Sequence, residues 1–155
     1  MADILIPTVA QGLMWALMAL GVYITFRVLD IADLSVEGSF PLGAAVAATA
    51  LVSGYGVTAA FLLAAVAGAL AGIVTGILTT KLKIPPLLAG ILTMIGLYSV
   101  NLHVMGKANV ALLRVDTVFS YAAGMGLTSD MAMMAVGLVG VMLVGVILYW
   151  FFGTE

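Results

Sequence analysis

The stretch Val57–Thr80, VTAAFLLAAVAGALAGIVTGILTT, contains no Asp, Glu, Lys or Arg. A helix needs about 20 predominantly apolar residues to cross the roughly 30 Å hydrocarbon core of a bilayer, so this run reads as a transmembrane span. Outward from it, comparable runs occupy Ile4 to Phe26, Gly38 to Val52, Ile84 to Val104 and Met131 to Phe152. The expectation is an all-α integral membrane protein of about five transmembrane helices, with a short or broken second span, in a single transmembrane domain over residues 1–155. Composition agrees, because 65% of the 155 residues are hydrophobic and only 8% are charged, whereas a soluble domain carries roughly 25% charge. Five Lys+Arg and seven Asp+Glu cannot cover a soluble surface, and the mean hydropathy is +1.30. A soluble enzyme is excluded, and the lipid bilayer is the expected surrounding.

The formal charge of −2 leaves no basic patch for nucleic acid or for a polybasic lipid contact. Without Cys there are no disulfides, thiolate metal sites or Cys nucleophiles, and a single His leaves no pair to share a metal, so no metal site is expected. Asp3 stands where a secretory signal would be basic, and no small-residue cleavage pattern closes the first run, which is therefore expected to stay in the mature chain. Tyr55 and the cluster Tyr149, Trp150, Phe151 and Phe152 mark span boundaries, while Trp15 lies mid-span. Arg27, Lys81 and Lys83 fall on one side of the membrane and Lys107 and Arg114 on the other. The first three are assigned inside, because the other two lie in the longest loop, Met105 to Asp130. That places the N-terminus outside and Glu155 inside.

Ala64, Gly68, Gly72 and Gly76 recur every fourth residue and lay a stripe of small residues along one side of the third span, where close approach of another helix is expected. Gly12 with Ala16, and Gly137 with Gly145, suggest similar contacts in the first and last spans. The 10 methionines show no shared spacing and read as packing filler, and Gln11 as interhelical glue.

Two places break the apolar pattern. The acidic segment Asp30-Ile31-Ala32-Asp33-Leu34-Ser35-Val36-Glu37-Gly38-Ser39 precedes a run that is short for a crossing. In one arrangement Ser35 to Pro41 enters the membrane as irregular backbone lining a wet or protein-filled cavity, with Ser39 capping the helix that follows and Pro41 near its start. A half-helix N-terminus there would face anionic groups of a substrate. In the other, the segment is an inside loop with Asp30, Asp33 and Glu37 solvated. The second break, Lys81-Leu82-Lys83-Ile84-Pro85-Pro86, puts paired prolines at the first turn of the fourth span, where they set the helix's approach angle. At the far end of that span Tyr98, Ser99, Asn101 and His103 bring polar groups to the outer boundary, and His103 reads as a hydrogen-bonded anchor.

Asp33-Leu34-Ser35-Val36, then Gly38-Ser39 and Leu42-Gly43-Ala44-Ala45-Val46-Ala47-Ala48, resembles the signature of bacterial ABC importer permeases of the ribose and branched-chain amino-acid type. Lys83-Ile84-Pro85-Pro86-Leu87-Leu88-Ala89 resembles the basic, proline-containing turn opening a later helix in that family, and the two matches together cover most of the chain. Glu37 stands where the ribose type has Gly, and the Val-Glu-Gly-Ser form is similar to a branch associated with amino-acid-like, including aromatic, substrates. Family permeases run to about twice this length, so the chain resembles the N-terminal half of one, ending where a cytoplasmic coupling loop would begin.

The resemblance implies a permease subunit in which Asp33, Ser35, Glu37, Gly38 and Ser39 border the translocation path of a small polar solute. Gly68, Gly72 and Gly76 would pack on neighbouring helices, and Lys83, Pro85 and Pro86 would form the helix-opening turn. It also implies an ABC ATPase subunit, a second permease subunit in a homodimer or heterodimer, and an extracytoplasmic substrate-binding protein docking near Met105 to Asp130, in a bacterial inner membrane. No cofactor is expected in this chain: it has no Gly-x-x-x-x-Gly-Lys-Ser/Thr loop, so ATP would be bound by the separate subunit. Two alternatives remain. One is an ion-coupled carrier or channel subunit, in which Asp30, Asp33 and Glu37 bind a cation or proton inside the membrane and, if helical, share a face. The other is an intramembrane enzyme, resting on Asp30 and Asp33 alone.

Overall fold

A computed structural model describes residues 2–31, 33–112, 115–117, 120, 124, 126 and 128–153. Among the described residues, five helices with defined bounds follow in order: α1 (Ala2–Leu29), α2 (Val36–Val52), α3 (Val57–Thr80), α4 (Pro86–Met105) and α5 (Ser129–Phe152). No strand occurs among the described residues. The stretches Ile4–Val28, Val57–Thr80, Pro86–Met105 and Asp130–Phe152 are long and apolar enough to cross a membrane, whereas α2 has only 17 residues. A helix rises 1.5 Å per residue, so a helix of α2's length falls short of a roughly 30 Å hydrocarbon core. The chain is an all-α integral membrane protein.

The distribution of residue sizes confirms the surrounding solvent. Large apolar side chains point outward, among them Phe61, Leu62, Val66, Leu70, Ile73 and Ile77 on α3, and Tyr149 and Trp150 at the end of α5. Buried positions hold mostly small or polar residues, including Ala10, Ala45, Ala60, Ala71, Ala89, Ser35, Thr75 and Thr93. A water-soluble core would show the opposite, because lipid tails are as apolar as Leu and leave helices to associate through close packing and hydrogen bonds.

The chain forms two compact units. One comprises residues 1–20 and 116–155. Here α1 meets α5 through Gly137 and Gly140: a Cβ at Gly137 would lie 3.0 Å from the Leu13 Cβ, and one at Gly140 would lie 3.4 Å from a Leu17 methyl. Leu13 and Leu17, one turn apart, sit over these two glycines, and Ala10 and Ala132 are fully buried. Gly137 is a contact as its sequence spacing suggests, but no described residue comes within 4 Å of a Cβ built at Gly12 or Gly145. Gly140, not Gly145, is the second contact.

The other unit, residues 21–115, holds α2, α3 and α4, with α2 packed on both of the others around Leu42, Ala71 and Leu97. Gly38 lies against Met94 and Leu97, and the Thr49 hydroxyl donates to the Val104 carbonyl at 3.4 Å, so α2 and α4 run in the same direction. α2 ends in a left-handed cap at Gly54 (φ 88°), where the Tyr55 N–H reaches the Ala50 carbonyl and the Gly54 N–H reaches that of Leu51. α4 ends similarly at Gly106 (φ 64°). It starts with Pro85 in the capping position and Pro86 as its first residue, where a missing N–H deprives no carbonyl of a partner. Lys83, with φ 55°, makes the turn before them.

Candidate translocation surface

Asp30, with φ 56°, accompanies the end of α1, and Ile31, Asp33, Leu34 and Ser35 are not helical. Asp33 Oδ1 accepts a 2.8 Å hydrogen bond from the Ser35 N–H, folding the chain into a short turn. The Ser35 carbonyl then accepts from the N–H groups of Gly38 (3.0 Å) and Ser39 (2.9 Å), which starts α2. Ser35 is therefore the capping residue and is buried, although its hydroxyl makes no capping bond.

Three local expectations change. One of the two arrangements has irregular backbone up to Pro41, but α2 begins at Val36 and Pro41 lies inside it. Ser39 is not the cap; its hydroxyl donates back to the Val36 carbonyl at 3.4 Å. Asp30, Asp33 and Glu37 do not share a helix face, because only Glu37 is in a helix. The N-terminus of α2 is also less open to an anion than expected, since the Asp33 carboxylate already occupies one of its approaches.

The Asp33 turn is seated on α4. A Cβ at Gly90 would lie 3.0 Å from Asp33 Oδ1, 3.1 Å from the Leu34 nitrogen and 3.3 Å from that of Ser35. At Gly38 it would lie 2.9 Å from the Met94 Cα, a backbone atom that cannot swing aside. These two glycines let α2 and its leading turn lie directly on α4. Below them Thr75 on α3 donates to the Thr93 hydroxyl on α4 at 3.0 Å, and Thr93 donates to its own helix at the Ala89 carbonyl. That buried relay ties the two helices with every hydroxyl hydrogen used.

Between α2 and α4 opens a half-enclosed cleft of about 770 Å³. Glu37, Gly38 and Pro41 form one side and Met94, Ile95, Tyr98, Ser99, Asn101, Leu102 and Met105 the other. Its size lies within the range of small-molecule sites, roughly 300–1,000 Å³. Of the expected path residues, Glu37 and Gly38 line this cleft. Asp33 instead lines a separate pocket of about 290 Å³ with Thr75, Thr79 and Thr80, while neither Ser35 nor Ser39 lines these two. Among the described residues no group of three His, Cys, Asp or Glu side chains could hold a metal ion.

The glycine stripe is open. A Cβ at Gly68, Gly72 or Gly76 meets nothing within 4 Å, so among the described residues the expected close approach is absent, and Gly72 and Gly76 border the smaller pocket. Ala64, the first member, does make contact, its carbonyl lying 3.9 Å from a Cβ built at Gly43. Gly90 and the Thr75–Thr93 pair were not singled out in the sequence. Threonines inside apolar spans were a usable signal, because such residues turn inward, whereas nothing local marked Gly90.

Apolar helices long enough to cross a membrane, with small and polar residues at their buried positions, are those of a multi-pass membrane protein. The model of the family described as branched-chain amino acid transport system / permease component matches residues 4–153, and the chain belongs to that family. It is 45% identical over 116 residues to a tyrosine transport system permease protein of Clostridioides difficile (strain R20291), covering 75% of this chain and 39% of that protein. It is 37% identical over 118 residues to an uncharacterized protein of Rickettsia prowazekii (strain Madrid E), covering 76% of this chain and 41% of that one. The chain thus spans about two-fifths of the length of these relatives. No solved structure matches it.

Proposed function

We propose that this chain is part of the transmembrane permease subunit of an ABC importer, within a longer permease domain, and that its helices border the route of a small polar solute, an amino acid of the tyrosine type. The observation that carries this reading is the cleft between α2 and α4, which is walled by the Glu37–Pro41 segment and lies inside the matched region of a transport permease family. The name of the Clostridioides difficile relative supports an aromatic amino acid as solute. Transport in this reading involves no bond chemistry in the chain and no cofactor bound to it. Energy comes from a separate ATPase, solute from an extracytoplasmic binding protein, and a second permease subunit, identical or related, completes the pathway. The membrane is the bacterial inner membrane, with the N-terminus outside and Arg27, Lys81 and Lys83 inside.

The test is uptake of labelled tyrosine by proteoliposomes holding the full-length gene product with its ATPase and binding protein. ATP-dependent uptake that is reduced by Glu37→Gln is expected. Uptake that follows a proton or sodium gradient and persists without the ATPase would replace this reading with an ion-coupled carrier.

A further inference from the structure

Glu37 stands at a depth where a carboxylate is costly. Its neighbour Gly38 packs against Met94 and Leu97, near the middle of the 20-residue span Pro86–Met105. At 1.5 Å per residue, Met94 lies about 12 Å along α4 from Pro86 and about 16 Å from Met105. Because α2 runs beside α4 in the same direction, Glu37 enters at that level rather than at the membrane boundary. Ionisable side chains inside the hydrocarbon region face a cavity or a partner.

Helix geometry and exposure put Glu37 on the cleft. Gly38, Leu42 and Ala45 form the buried face of α2. Glu37 and Pro41, four residues apart and therefore together on a neighbouring face, both line the cleft of about 770 Å³. Glu37 is exposed, so an occupant of the cleft can reach it. The opposite wall is one stripe of α4, in which Met94, Tyr98 and Leu102 follow at four-residue intervals.

Charge decides what can enter. Glu37 carries the one full charge among the lining side chains, and no Lys, Arg or His lines the cleft among the described residues. The α2 N-terminus supplies about half a positive charge, which the Asp33 carboxylate shares through its bond to the Ser35 N–H, so the cleft stays net negative. A cation is favoured and an anion disfavoured. Met94, Ile95, Leu102 and Met105 with the ring of Tyr98 offer an inorganic ion too few oxygen ligands, but they suit an apolar or aromatic body.

We propose that Glu37 is the counter-ion of this cleft, its carboxylate accepting from the protonated amino group of an amino acid or primary amine whose apolar body lies along Met94, Tyr98 and Leu102. The assignment deepens the permease reading and rests on it, in that the cleft is taken as part of the solute's route. In the sequence Glu37 is one of three carboxylates in a single segment; its depth beside Met94 and its place on the cleft separate it from Asp33, which lines the smaller pocket.

The experiment measures equilibrium binding to the full-length gene product in lipid nanodiscs, with empty nanodiscs subtracted, using three probes that share one aromatic body. Tyramine carries an ammonium group, 3-(4-hydroxyphenyl)propionate a carboxylate and 4-ethylphenol neither. Wild type binds tyramine most tightly and the propionate least. Glu37→Gln lowers tyramine affinity about tenfold or more, the loss of a charge-assisted hydrogen bond, and leaves 4-ethylphenol unchanged; Glu37→Asp, which keeps the charge, keeps the order of the probes. Equal binding of tyramine and 4-ethylphenol by wild type, or preference for the propionate, would overturn the assignment. So would a Glu37→Gln variant that weakens all three probes alike, because that is the mark of a merely structural role. Should Glu37→Gln fail to fold, the wild-type order of the three probes decides the question alone. The two readings separate cleanly. ATP-driven tyrosine uptake without an ammonium preference keeps the permease and removes the counter-ion, whereas Glu37-dependent tyramine binding without ATP-driven uptake does the reverse.

Discussion

Gly38 on α2 and Gly72 on α3 sit on adjacent helices of one unit and have opposite surroundings. A methyl group at Gly38 would run into the α4 backbone, while at Gly72 it would meet nothing within 4 Å. In the sequence Gly72 was the more conspicuous, being part of a four-residue repeat, and Gly38 was an isolated residue in an acidic segment. Periodicity identifies which residues share a helix face, but closeness depends on what the partner helix brings to that face. Here α4 brings Met94 and Leu97 to Gly38, and no described residue comes within 4 Å of a Cβ built at Gly68, Gly72 or Gly76.

The most damaging way to probe this contrast is Gly38→Ala. With the new Cβ 2.9 Å from the Met94 Cα, α2 and α4 must separate, at about 1–3 kcal/mol for an overpacked contact. Thermal unfolding in detergent should register the loss. If Gly38→Ala is neutral, the seam is looser than described.

Gly90→Ala should cost somewhat less, about 1–2 kcal/mol, because its nearest neighbour is the side-chain oxygen Asp33 Oδ1 at 3.0 Å. Asp33→Ala alone should cost about 1 kcal/mol for the lost turn bond to Ser35. Combining the two removes the clash with Oδ1, so the double variant should be more stable than the sum of the singles predicts. Additive losses would show that the Asp33 turn does not rest on Gly90.

Thr93→Val breaks the Thr75–Thr93 hydrogen bond while keeping the side-chain shape. Hydrogen bonds between membrane helices average about 0.6 kcal/mol, so a small fall in unfolding temperature is expected, and a Thr75→Val, Thr93→Val pair should be little worse than either alone. Additive losses in that pair would break the relay.

Gly72→Ala should have the smallest effect, lying between neutral and a gain of about 0.5 kcal/mol from the better helix propensity of Ala. Measured in the full-length gene product, this substitution sharpens the comparison in a second way. A loss as large as that of Gly38→Ala would mean that a helix outside the described residues covers the stripe.

Much of the fold was legible because the bilayer imposes length and polarity on each crossing independently of the others. Val57–Thr80 was read with the same limits as α3, and the proline pair was placed at the start of α4. The second run was read from Gly38, while α2 begins at Val36. Pro41 suggested a first-turn position, yet Asp33 and Ser35 begin the helix earlier and Pro41 is accommodated within it. The candidate site was less legible. Glu37 and Gly38 were named and line the cleft, while Asp33 faces a different pocket. Asn101 could not be ranked above Ser99 or His103, because only the folded structure shows that it is buried with a side-chain oxygen that has no partner among the described residues.

The sequence by itself determined that this protein is a helical bundle in lipid, where its crossings begin and end to within a few residues, and which family it resembles. These follow from properties local to each segment: apolar length, proline and glycine at helix ends, and scarcity of charge. The tertiary structure alone decided which glycines are contact points, which carboxylate lines the cleft between α2 and α4, and which amide oxygen is buried without a partner among the described residues. Those are properties of pairs of helices, and in lipid, where apolar faces have no preference for one another over the solvent, the choice of partners rests on shape and a few hydrogen bonds between residues far apart in the chain.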